Sequence, residues 1–73
     1  GAGAVKIEAG AAGKVFKIEA SVGQAVKKGD PVIIIEAMKM EIPQVAPQDG
    51  TVASIDVAVG AACEAGSVLA TLN

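Results

Sequence analysis

One stretch of the sequence decides the fold: PVIIIEAMKMEIPQV, which spans residues 31–45. Its apolar run at 31–35 and the segment at 42–45 are typical of strands, and a lysine between two methionines separates them. The stretch therefore predicts a β-hairpin with Met38 and Lys39 at its tip. Two-residue hairpin loops usually have Asn, Asp or Gly at positions of positive φ, and this tip has none of them. Positions that break a local rule are often functional, so Lys39 is interpreted as the residue that the domain displays. A longer loop with a solvated lysine is the alternative.

The second half of the chain repeats the first. A shift of 37 positions superposes seven identical pairs: Gly13 on Gly50, Val15 on Val52, Ile18 on Ile55, Val22 on Val59, Gly23 on Gly60, Ala25 on Ala62 and Gly29 on Gly66. Such a duplication predicts two β units related by a pseudo-two-fold axis, each too small to bury its own apolar face. No segment has a sustained 3.6-residue period, so we expect an all-β fold: a flattened barrel or sandwich of two four-stranded units. The symmetry also predicts that the chain ends lie opposite Lys39.

The remaining segments predict the core and the domain boundary. Phe16 is the one aromatic residue, and the alternation over residues 14–19 predicts a half-buried strand with Phe16 and Ile18 pointing inward. Phe16 is therefore expected to be the only large core plug. The lone Cys63 predicts a small core residue in a reducing compartment. The Gly-Ala-rich start predicts a linker remnant at residues 1–4 and a domain at 5–73.

The composition excludes most catalytic chemistry. The chain has no His, Arg, Tyr or Trp and a formal net charge of −2. We therefore expect no catalytic residue and no metal site, no nucleic-acid partner and no direct membrane insertion. Glu36 and Glu41 could face each other across the hairpin as an acid-base pair, but solvated strand ends that steer a partner are favoured. A lysine amine in water is almost fully protonated at pH 7, so Lys39 is expected to be the substrate of another protein.

The hairpin sequence resembles a known attachment motif. Residues 36–41, EAMKME, are similar to the motif of biotinyl domains, the biotin carrier modules of carboxylases, transcarboxylases and decarboxylases. In that family the lysine between the methionines carries biotin in amide linkage, so the resemblance implies covalent biotin on Lys39. The similarity runs from about residue 13 to residue 72 and implies the all-β fold that biotinyl and lipoyl domains share. Gln44 departs from the family, where an aliphatic residue is usual, and so does the lack of Pro before Gly13.

The resemblance also implies how Lys39 is modified. A biotin protein ligase would deliver biotin from biotinyl-adenylate and would read four neighbouring residues: Glu36, Ala37, Met38 and Met40. Flexible thioethers can adapt to a ligase groove and then to the biotin ring. The two methionines favour biotin over lipoate, because lipoyl domains usually place their lysine between an acid and an alanine.

As the family implies, the domain is a non-catalytic carrier and a monomer when isolated. Its partners would be biotin carboxylase together with carboxyltransferase or decarboxylase subunits, between which the biotinyl arm shuttles carboxyl groups. These partners imply a cytoplasmic location, or the inner face of the membrane for a sodium-pumping decarboxylase. Residues 40–43 and 46–47 lean towards the decarboxylase group. The alternatives are a lipoyl carrier domain and an unmodified structural interaction module.

Overall fold

The computed structural model describes residues 3–73, which form eight strands and no helix. The strands are β1 (Val5–Glu8), β2 (Gly13–Ile18), β3 (Ala25–Val26), β4 (Pro31–Ala37), β5 (Met40–Val45), β6 (Gly50–Ile55), β7 (Ala62–Cys63) and β8 (Val68–Leu72). They form two four-stranded antiparallel sheets, with the orders β1-β8-β6-β3 and β5-β4-β2-β7. The predicted all-β fold is confirmed. Over residues 3–73 no helix is long and apolar enough to cross a membrane. Of the predicted linker remnant, residues 1 and 2 lie outside the described residues, and the boundary at residue 5 stays a prediction.

The two sheets follow the duplication seen in the sequence. The 37-residue shift places β2 on β6 and β4 on β8, and it relates the two sheet orders strand by strand. Equivalent hydrogen bonds link the halves: the backbone N–H of Val15 donates to the Ala61 carbonyl over 2.8 Å, and that of Val52 donates to the Gln24 carbonyl over 2.9 Å. Each sheet contains a two-residue strand from the other half, β7 beside β2 and β3 beside β6. The halves are therefore interlocked, and neither completes its sheet alone.

Four glycines close the turns at equivalent places. Gly23, Gly29, Gly60 and Gly66 have φ values of 91°, 92°, 91° and 88°. Residues with a Cβ rarely adopt this left-handed conformation, so glycine is favoured at all four positions. The agreement within each pair that the duplication relates shows that the two halves share backbone geometry as well as sequence.

The core lies between the sheets and is aliphatic. Its largest fully buried side chains are Val15, Val32, Ile33, Ile35, Val52, Leu69 and Leu72. The free thiol of Cys63 is buried among core residues, which confirms its predicted position in the core. Because no large aromatic side chain contributes, many small β-branched contacts hold the sheets together.

The prediction that Phe16 plugs the core is wrong. Phe16 is 42% exposed, whereas its neighbour Val15 is buried. The register of β2 against β4 shifts at this point. Val15 opposes Ile35 and Lys17 opposes Ile34, so Phe16 is an extra residue on β2 that has no partner on β4. This β-bulge interrupts the in-out alternation from which the inward position of Phe16 was predicted. Ile18 is partly buried against the core, as predicted.

Gln44 is buried on β5, and both ends of its side-chain amide form hydrogen bonds. Its Oε1 accepts from the backbone N–H of Gly10 over 2.8 Å, and its Nε2 donates to the Ile42 carbonyl over 3.2 Å. A buried polar side chain costs little when its hydrogen bonds are made. The glutamine thus ties the segment before β2, which belongs to one half, to the edge strand of the hairpin.

Candidate functional site

The hairpin has a two-residue tip. Strands β4 and β5 pair through to Ala37 opposite Met40, which leaves Met38 and Lys39 as the whole loop. The predicted hairpin tip is confirmed, and the longer loop is wrong. Met38 has φ of 52° and Lys39 has φ of 63°, the only positive values among the non-glycine residues of the range 3–73. Positive φ at both central positions defines a type I′ turn, which matches the twist of the flanking strands.

This backbone costs conformational energy. A left-handed conformation costs an L-residue roughly 1–2 kcal/mol, and neither tip residue is Gly or Asn. Sequences that hold strained residues usually do so where the side chains are needed. The strain therefore supports the interpretation that Met38 and Lys39 occupy the turn because their side chains are needed there, and not because they stabilise it.

The tip side chains project into solvent. Lys39 is exposed, Met38 is 93% exposed and Met40 is 63% exposed. Two ion pairs are found within residues 3–73, and neither includes Lys39. The amine of Lys39 is therefore accessible from outside the protein and is not tied to a carboxylate. It fits a group that is attached covalently by a second protein.

The base of the hairpin, in contrast, is well packed. Ala37 directly precedes the tip and is only 6% exposed, and Ile35 is completely buried. Glu36 pairs with Lys14 of β2, with 3.9 Å between Oε1 and Nζ, and lies directly across β4–β5 from Glu41. The predicted juxtaposition of the two glutamates is thus confirmed in the strand register. Both carboxylates are accessible to water, and one strand pair, Ala37 opposite Met40, separates them from the tip.

The four residues predicted to guide a ligase differ in their exposure to solvent. Met38 and Met40 are open to contact, and Glu36 is half-buried on the solvent side of β4. The methyl group of Ala37 is covered, so it can affect recognition only through the shape of the turn. Sequence reasoning missed Gly13, which packs against Glu36 and Ala37 at the hairpin base. Its match to Gly50 in the duplication was the available signal.

The strand topology places the tip and the last residue at opposite ends of the molecule. Strand β2 begins beside the hairpin, where Lys14 opposes Glu36, and runs away from it. The chain then enters β3, which pairs with Gly50 and Thr51 at the start of β6. Thr51 in turn exchanges backbone hydrogen bonds with Asn73. Asn73 therefore lies at the pole away from Lys39, as the duplication predicts.

A small two-sheet domain that exposes one lysine on a hairpin, at the pole away from Asn73, has the arrangement expected of a covalent cofactor carrier. Such a domain presents one amine to a modifying enzyme and then presents the modified side chain to other active sites. Comparison with known proteins identifies the family to which this carrier belongs.

The family model described as "Biotin-requiring enzyme" matches residues 5–72. Among curated proteins, the chain is 43% identical over 61 residues to the biotin-dependent acyl-coenzyme A carboxylase alpha3 subunit of Mycobacterium leprae, covering 84% of this chain and 10% of that protein. It is 37% identical over 59 residues to the biotinylated protein TB7.3 homolog of the same organism, covering 81% of this chain and 83% of that protein.

Among solved structures, the urea carboxylase of Kluyveromyces lactis matches with a TM-score of 0.90 and 38% identity, covering 93% of this chain and 6% of that one. The chain belongs to the biotin-requiring family and is a non-catalytic biotin carrier domain. It spans about a tenth of the carboxylase subunit, and most of the smaller biotinylated protein.

Proposed function

We propose that Lys39 is the residue that carries biotin, and that the domain shuttles carboxyl groups between the active sites of a larger biotin-dependent complex. The observation that supports this most directly is the type I′ turn, in which a strained backbone displays an unpaired lysine between two exposed methionines. No other lysine of residues 3–73 has a positive φ itself. The site thus singles out one amine among the six lysines of the chain.

Attachment depends on a second protein. A lysine ammonium in water is a poor nucleophile, and the carboxylates of the hairpin are bases too weak to take its proton. A biotin protein ligase would remove this proton and present biotinyl-adenylate. The Lys39 nitrogen would attack the acyl carbon, an amide bond would form and AMP would leave. The formal net charge would then change from −2 to −3.

The chain's own residues fix the direction of the lysine and provide contacts for the ligase. The buried Ala37 and Ile35 hold the turn on the end of a rigid sheet, so the domain moves as one body. The exposed Met38 and Met40 offer adaptable apolar contacts beside the amine, which suits recognition by a ligase. Bound biotin would supply a ureido nitrogen that accepts a carboxyl group at one active site and releases it at another. Covalent attachment raises the effective concentration of the carried group at both sites.

Relatives in carboxylase complexes support the choice of partners. We expect a biotin carboxylase and a carboxyltransferase or decarboxylase subunit, with the isolated domain monomeric. The location that follows is cytoplasmic, or the inner face of the membrane if the complex is a sodium-pumping decarboxylase. The assignment to the decarboxylase group, based on residues 40–43 and 46–47, stays a prediction.

Intact-mass measurement after co-expression with a biotin protein ligase tests the attachment site. The wild-type chain should gain one biotin-sized increment, and Lys39→Arg should gain none. Lys28→Arg, a matched change at another exposed lysine, should be labelled like the wild type. A wild-type chain that stays unmodified beside an active ligase would favour the structural module, and a lipoate-sized increment would favour a lipoyl carrier.

Changing the neighbours of Lys39 tests recognition. The double variant Met38→Asp, Met40→Ala should lose biotinylation or accept the wrong group while its circular dichroism spectrum stays unchanged. Both side chains are exposed, so the core is not affected. Unchanged labelling would show that the ligase does not recognise the two methionines.

A further inference from the structure

Gly13 makes the closest approach at the base of the hairpin. A Cβ atom on Gly13 would overlap the carbonyl oxygen of Glu36 and would lie 3.1 Å from the Cβ of Ala37. Both are backbone-proximal atoms that cannot rotate away. Ala37 is followed directly by Met38 and Lys39, so the peptide that Gly13 packs against is the last one before the tip.

Strand β2 has no room to retreat from this contact. On its other side, Gly13 and Lys14 pair with Cys63 and Ala62 of β7. The N–H of Val15 also donates to the Ala61 carbonyl over 2.8 Å. Strand β4 is held as firmly, because it lies between β2 and β5 and its Ile35 and Ala37 are buried. An atom added at position 13 would therefore force β2 and β4 apart at the base of the hairpin, which changes the position of the tip relative to the rest of the sheet.

We propose that Gly13 is a positioning residue for the modification of Lys39. Without a side chain, β2 packs directly against the Glu36–Ala37 peptide and sets the direction in which the turn points the amine. This inference rests on the proposed attachment of biotin to Lys39. A carrier is useful only if its lysine reaches the acyl carbon on the ligase at reacting distance, and a displacement of about 1 Å can lower a rate by about a hundredfold.

The duplication provides a matched control. Gly50 is the equivalent of Gly13, and a Cβ there would lie 2.7 Å from the carbonyl oxygen of Asn73 and 3.5 Å from the Cβ of Leu72. Gly50→Ala thus introduces the same kind of backbone collision, in an equivalent strand, at the pole away from the lysine. The collision is milder at Gly50 than at Gly13, so urea unfolding of both variants measures their loss of stability separately from a displaced tip, which is expected only in Gly13→Ala.

The experiment compares the wild-type chain, Gly13→Ala and Gly50→Ala, all unmodified and shown to be folded by circular dichroism. The ligase kcat/KM should fall roughly ten- to hundredfold in Gly13→Ala, mainly through kcat, and stay within about twofold in Gly50→Ala. Labelling of Lys39 by a succinimidyl ester of biotin, followed by peptide mass mapping, should proceed at equal rates in all three. That reagent needs an exposed amine and not a particular orientation.

Equal kcat/KM for the two variants would refute the positioning role, and so would parallel losses in ligase and ester labelling. If Gly13→Ala does not fold, Ala37→Ser adds one atom to the same contact from the hairpin side. Its side chain is out of reach of the ligase, so a selective loss of kcat would support the inference and unchanged kinetics would overturn it. A labelled wild type with indistinguishable variants refutes only the role of Gly13. A wild-type chain left unlabelled by an active ligase refutes the proposed function itself.

Discussion

Replacing Lys39 by glycine should make the domain more stable while removing the proposed attachment residue. Lys39 has φ of 63° in the type I′ turn, where glycine is the preferred residue. Its side chain is exposed and forms no ion pair with a described residue, so little favourable contact is lost. The expected gain comes from releasing backbone strain.

The expected size follows from two opposing terms. Relief of the left-handed conformation stabilises the folded state by roughly 1–2 kcal/mol. Glycine also increases the conformational entropy of the unfolded chain, which costs about 0.5–1 kcal/mol. The free energy of unfolding should therefore rise by about 0.75 kcal/mol, the middle of a range of roughly 0–1.5 kcal/mol, which corresponds to about 3–6 °C in Tm for a domain of this size. This is a measurable part of a total stability on the order of 4–10 kcal/mol.

Urea and thermal unfolding followed by far-ultraviolet circular dichroism measure the change, since the chain has no Trp or Tyr for fluorescence. Lys39→Ala is the matched control: it removes the same charge but keeps a Cβ, so it should show no comparable gain. Gly60→Ala is the reverse control, because φ is 91° there and a Cβ would meet nothing within 4 Å. Its expected loss, about 0.75 kcal/mol by the same two terms with their signs reversed, is purely conformational. Equal gains in Lys39→Gly and Lys39→Ala would show that charge, and not backbone strain, controls the stability of the tip.

Two further predictions concern the core. Gln44→Leu should lower the free energy of unfolding by about 1–3 kcal/mol, because the amide of Gly10 loses a buried acceptor, whereas Gln24→Leu removes an exposed hydrogen bond to Ser21 and should cost less; equal costs in urea unfolding would contradict the role of burial. Phe16→Ser should cost less than about 1 kcal/mol and Ile33→Ala about 2–5 kcal/mol, since Phe16 lies on the bulge and Ile33 is completely buried. Comparable losses in those two variants would place the aromatic ring in the core after all.

The sequence by itself determined the parts that depend on local chemistry and on repetition. Strand-like segments on both sides of Met38-Lys39 were enough to define the hairpin and its tip. The 37-residue repeat was enough to predict two β units related by a pseudo-two-fold axis and the placement of Lys39 opposite the chain end. Both inferences hold because alternation, turn composition and internal similarity are properties of short segments and of their spacing.

The tertiary structure alone decided which neighbours those segments meet. The bulge that turns Phe16 outward arises from the register of β2 against β4, and no property of residues 14–19 shows it. Gln44 accepts a hydrogen bond from an amide 34 positions away, and Gly13 approaches the Glu36–Ala37 peptide only because β2 lies between β7 and β4. Each of these depends on contacts between residues distant in sequence. Such contacts are set by the packing of the two sheets, and a single sequence does not encode them as a readable local pattern.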